Sequence, residues 1–124
     1  MANHIADDET SSLISADKVE GTTVYNRGGD KLGSVKTVMI DKKSGKVAYA
    51  VMSFGGFLGI GSDLHPLPWS VLDYDTAESG YVVDLDKETL EKAPRVAADE
   101  RVDWADQAWG REVHDYYRAT PYWM

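Results

Sequence analysis

Three histidines, a run of carboxylates and a glycine-rich loop are the parts of this sequence best suited to chemistry. His4, His65 and His114 stand far apart and show none of the short spacings that bring two imidazoles onto one metal. His65 follows Asp63 closely enough for an acid/base pair, yet it reads more simply as a strand-edge residue. His114 falls beside an apolar helical stripe, where packing or capping explains it better than ligation. Asp73-Tyr74-Asp75-Thr76-Ala77-Glu78 opens like a calcium loop, but Glu78 stands where an EF-hand needs glycine, so a solvated hairpin turn is the expectation. There is no cysteine, which removes disulfides, thiolate nucleophiles and sulfur-ligated metals together. No Gly-x-Ser-x-Gly elbow occurs, and no triad can be assembled.

The loop Gly55-Gly56-Phe57-Leu58-Gly59-Ile60-Gly61 has the glycine content of a phosphate cradle. It lacks a following Gly-Lys-Ser/Thr, and it leads into a proline-flanked strand around Leu64 to Trp69, not into a helix. It therefore fits neither a P-loop nor a dinucleotide fingerprint. A tight barrel corner whose Phe57, Leu58 and Ile60 cap a core or an interface fits better. No metal, cofactor or catalytic residue is assigned.

The elements around these residues are mostly strands. Residues 15–21 form one capped turn stopped by Gly21. Strand signals then cover 22–26, 31–41, 47–54, 71–74 and 81–83, separated by glycine-rich turns, with Gly45 in the left-handed position of the loop at 41–46. Such short strands at close spacing indicate an all-β barrel of about six strands. Asp86 caps a short helix over 87–92, ended before Pro94. Residues 95–101 read as linker. Residues 103–117 have helical spacing, with Ala105, Trp109, Val113 and Tyr117 on one apolar stripe. The division is a flexible arm at 1–12, a barrel domain at 13–94 and a helical, aromatic-rich extension at 95–124.

The strand 47–54 is apolar on both faces: Val47, Tyr49 and Val51 on one, Ala48, Ala50, Met52 and Phe54 on the other. A sheet with one wet face alternates apolar with polar, so both faces here need a cover. The barrel interior supplies one. The C-terminal segment or a second copy must supply the other.

The chain has 124 residues, which suits one domain. Its net charge of −8 repels phosphate backbones and anionic lipid, and so disfavours nucleic-acid binding. The N-terminal residues carry no basic and apolar pattern of a secretory signal, and no stretch approaches the ~20 apolar residues of a membrane span. The expectation is a soluble, cytoplasmic protein.

With strands and loop in view, the sequence resembles the PRC-barrel family, named for the cytoplasmic domain of the photosynthetic reaction centre H subunit. The resemblance runs from Leu13 to about Leu85. It rests on Gly33-Ser34-Val35 leading to Ile40-Asp41, on Ser44-Gly45-Lys46-Val47-Ala48-Tyr49-Ala50-Val51, on the glycine loop and on Leu67-Pro68-Trp69. Asp115-Tyr116-Tyr117 and Pro121-Tyr122-Trp123 look like the tail of stand-alone bacterial members. Where such relatives often carry lysine after the glycine loop, this chain has Asp63. The resemblance implies a small six-stranded β-barrel acting as a non-catalytic adaptor, with no catalytic residues to carry over. The reaction-centre subunit's membrane anchor has no counterpart here, so a role in photosynthesis does not follow.

The expected function is protein binding with self-association, as a homodimer or higher oligomer. The surfaces expected to serve it are Tyr49 and Phe54 on the third strand, Phe57, Leu58 and Ile60 in the loop, Trp69, and Trp104, Trp109, Val113, Tyr117 and Trp123 near the C-terminus. Aromatic side chains of this kind are enriched at interface hot spots. The tail can pack on its own barrel, across a homodimer or on another partner, and spacing alone leaves these open. Rival readings are a ribosome- or RNA-associated factor and a small-molecule- or metal-binding barrel.

Overall fold

The computed structural model describes residues 12–54, 63–97 and 102–124. Helix α1 (Ala16–Val19) is capped by Ser15 and followed by Gly21 at φ +87°. Strands β1 (Thr23–Asn26), β2 (Lys31–Ile40), β3 (Val47–Phe54) and β4 (Asp63–Pro68) form an antiparallel meander. A 3-10 turn at Trp69–Val71 leads to β5 (Asp73–Asp75) and β6 (Gly80–Val83). Helix α2 (Lys87–Glu91), strand β7 (Val96–Ala97) and helix α3 (Gln107–Tyr116) complete the chain.

The β2–β3 hairpin shows how local chemistry sets a turn. The Asp41 carboxylate accepts from the backbone N–H of Lys43 and Ser44. Gly45 takes φ +76°, and its N–H returns to the Asp41 carbonyl at 2.8 Å. These interactions, first of all the hydrogen bond with Ser44, hold the Asp41 carboxyl below the usual aspartate range.

The strands hydrogen-bond in the order β5-β6-β1-β2-β3-β4-β7. In that order β6, β1, β2 and β3 separate β4 from β5, a distance of ~24 Å across a flat sheet. Residues 69–72 are all that join β4 to β5, a reach of ~17 Å at full extension and less in a 3-10 turn. The sheet must therefore curl until its ends approach, which is the geometry of a barrel. The ring of Trp69, leaving β4, meets that of Tyr81 on β6 at 5.4 Å, edge to face. Among the described residues the edge strands β5 and β7 are not paired with each other, so the ladder is open.

Cross-strand partners share a face. Ala50 with Leu67 and Met52 with His65 turn inward, joining buried Val24, Leu32, Val35 and Val83 in the core. Gly33 on β2 is required by close approach, since a Cβ there would stand 1.9 Å from the Ser53 carbonyl oxygen.

Several expectations are corrected. Residues 69–71 form a 3-10 turn, so the strand expected at 71–74 begins at Asp73. The expected linker at 95–101 contains β7, which pairs with β4. His65 pairs with β3 and lies just beyond the two residues of β4 that pair with β7, yet it is only 2% exposed and packs on Phe54. Helix α3 starts at Gln107 behind the Asp106 cap, and Ala105 lies exposed outside it. The expected barrel of about six strands is present as β1 to β6, and among the described residues the two-residue β7 joins its edge. Among the described residues no helix is long and apolar enough to cross a membrane.

Candidate interaction surface

Tyr49 organises the C-terminal segment. It stands on the outer face of β3 with Val51, opposite Pro68 and Pro66 of β4. Four rings surround it: Trp104 at 5.4 Å, His114 at 5.3 Å, Tyr122 at 5.5 Å and Trp109 at 6.5 Å. Trp104 and Trp109 meet edge to face at 5.5 Å, and Tyr122 meets Trp123 the same way at 5.1 Å. Such tilted and T-shaped contacts set electron-poor ring edges against electron-rich faces. The second apolar face of β3 is thus covered by the chain's own C-terminal segment.

The helix behind these rings is locally well determined. The Asp106 carboxylate accepts from the N–H of Ala108 and Trp109, at 3.0 and 3.3 Å. Val113 is fully buried, and Tyr117 follows on the same side at the C-cap. His114 is 1% exposed, and its Nδ1 lies 2.7 Å from the Gly110 carbonyl. A carbonyl can only accept, so Nδ1 carries the proton. Gly110 leaves room for Trp123, since a Cβ there would stand 3.1 Å from the indole and 3.0 Å from the Tyr49 hydroxyl. The Arg111 guanidinium lies over the Trp123 ring at 5.9 Å. At the far end, the Tyr116 hydroxyl donates to the Thr89 carbonyl and ties α3 to α2.

Burial pushes the Tyr49 phenol up to about 12, with the neighbouring Tyr122 adding to the effect. Burial likewise raises the Tyr117 phenol, with a further push from Tyr116. The Tyr117 hydroxyl has no hydrogen-bond partner among the described residues.

The expected surface residues thus divide. Tyr49, Trp104, Trp109 and Trp123 come together in one cluster. Val113 on α3 and Tyr117 at its C-cap join Tyr49 in the buried core. Phe54 and Trp69 belong elsewhere: Phe54 packs on His65, and Trp69 meets Tyr81 of β6 edge to face. Phe57, Leu58 and Ile60 lie outside the described residues. Gly110 was missed as a member of the cluster, although it stands four residues before His114, where one helical turn brings them together.

Among the described residues no group of three His, Asp or Glu side chains gathers to hold a metal. The Asp73–Glu78 segment is a hairpin turn in which the Asp75 carboxylate accepts from the Ala77 N–H at 2.8 Å. Two surface hollows, of about 180 and 410 Å³, open near α1 and α2, away from the aromatic cluster.

A curled antiparallel meander with a returning β5–β6 hairpin and an aromatic outer face defines a small barrel module. Residues 12–90 match the PRC-barrel domain, and the chain belongs to that family. No curated protein matches the chain.

Proposed function

We propose that this PRC-barrel protein is a non-catalytic protein-interaction module that binds and self-associates through the aromatic face over β3. The observation that carries this reading is the state of the cluster around Tyr49. Trp104, Trp109 and Trp123 are half-buried and Tyr122 is 42% exposed, while the ring beneath them is 2% exposed. Aromatic side chains locked by packing, with part of their surface in water, offer large contact area at little entropic cost.

Affinity capture tests this. The full tagged chain and its Tyr122→Ser variant are exposed to native lysate, and each is checked for an unchanged melt. Recovery of a stoichiometric partner by the native chain, whether a second copy or another protein, and its loss with the Tyr122 variant is the expected result. Equal recovery by both would remove this face from the function.

A further inference from the structure

We infer that this face takes a basic segment of a partner protein, whose lysine or arginine side chains seat on the indoles of Trp104 and Trp109; this names the partner chemistry of the interaction reading above and rests on it. Both rings come from one short stretch of chain. The Asp106 N–H donates to the Asp103 carbonyl at 3.1 Å, closing a turn that carries Trp104, and α3 begins directly after it. The two indoles stand nearly perpendicular, inclined at 81° with centroids 5.5 Å apart. Buried Tyr49 packs against both, and each indole keeps part of its surface in water.

Charge selects the occupant. Asp103 and Asp106 are the two ends of the Trp104 turn, and both are exposed. The Asp103 carboxylate accepts from the Ala105 N–H, and that of Asp106 from the N–H of Ala108 and Trp109, each through its Oδ1. These bonds pin both carboxylates to the backbone that carries the indoles. Among the described residues no ion pair engages either of them. Residues 103–117 hold four carboxylates against one guanidinium, that of Arg111. The net charge of −8 adds a field of the same sign, which draws in basic partners and repels acidic ones. Among aromatic rings the indole face attracts a cation best. The cluster already makes this contact once, where Arg111 lies over Trp123 at 5.9 Å. Trp104 and Trp109, with the pinned carboxylates beside them, offer the same contact to a cation from outside, whose alkyl stem lies along the rings.

Titration of the full chain with a hexa-arginine peptide, read by tryptophan emission, decides the matter, with a hexaglutamate peptide as control. A saturable change with the arginine peptide is expected, weakened by salt and absent with glutamate. D103N/D106N, in which asparagine keeps the capping oxygens, should weaken binding about tenfold or more. E78Q/D84N removes two charges from exposed sites outside this segment and should weaken it less than about threefold. Trp104→Phe keeps an aromatic ring against Tyr49 but a weaker cation face, and should weaken binding about threefold or more. A chain that ignores the arginine peptide, or that loses as much affinity with E78Q/D84N as with D103N/D106N, would overturn the inference. A chain that ignores the peptide yet recovers a partner lost with Tyr122→Ser would overturn it while leaving the interaction reading intact. A chain that ignores the peptide and recovers nothing would end both.

Discussion

The imidazole of His114, in the last turn of α3, lies 5.3 Å from the ring of Tyr49 in β3, with the two planes inclined at 55°. This contact joins the C-terminal helix to the barrel. It also fixes the register of the tail, because Tyr122 and Trp123 close on the same imidazole at 5.9 and 5.4 Å. One residue on β3 thus seats a segment more than fifty residues away in sequence.

Replacing Tyr49 by Ala should cost about 3–5 kcal/mol, the range for emptying a buried aromatic site. The tail should loosen with it, red-shifting and quenching tryptophan emission. Tyr49→Phe keeps the ring contacts and should cost about 1 kcal/mol or less. Urea melts of the two variants that coincide would show that the rings do not seat the tail.

Trp109 is half-buried, so Trp109→Ala should cost less than the ~3 kcal/mol expected of a buried tryptophan. Val113 is fully buried, and Val113→Ala should cost about 2 kcal/mol through lost methyl burial and a small cavity. Denaturant midpoints that ranked every stripe residue alike would contradict this division.

Gly33→Ala should destabilise the fold by about 1–3 kcal/mol or more, since the added methyl meets a backbone oxygen held in the β2–β3 ladder. Gly29→Ala offers a contrast, because its Cβ meets nothing within 4 Å and only its φ of +89° resists. A Gly33 variant melting like the native chain would contradict the close approach of the two strands.

Tyr117→Phe removes a buried hydroxyl that has no hydrogen-bond partner among the described residues. Deleting an unsatisfied polar group should leave stability unchanged or raise it by about 1 kcal/mol. A substantial loss measured by calorimetry would mean that the hydroxyl makes a bond of real worth, for example to an ordered water.

Alkaline pH should unfold the protein through the same two phenols. In the unfolded chain a tyrosine ionises near pH 10, whereas folded Tyr49 holds its proton to about 12. The unfolded state therefore binds fewer protons over that interval, and stability, complete below pH ~10, falls as pH rises toward 12. Melting temperatures at pH 8, 10 and 11 should show the decline, and Tyr49→Phe should flatten it. An equal slope in native and variant would assign the effect to other groups.

Much of this molecule was legible in local residue order. The span of β3 at 47–54, the Asp41–Lys46 turn with left-handed Gly45, the Asp86 cap of α2 and the short α1 before Gly21 all follow from rules that act over a few residues. The apolar character of both β3 faces also announced that two covers were needed. What local order left open was which covers, since that depends on chain segments far apart meeting in space. Only the tertiary structure buried His65 against Phe54, turned 69–71 into the 3-10 turn over which the sheet curls, and drew Val96 and Ala97 into the sheet. Only it brought Trp104, His114 and Tyr122 onto Tyr49. Hydrogen-bond ladders and ring contacts form between residues that share a place, and distance along the chain carries little record of that.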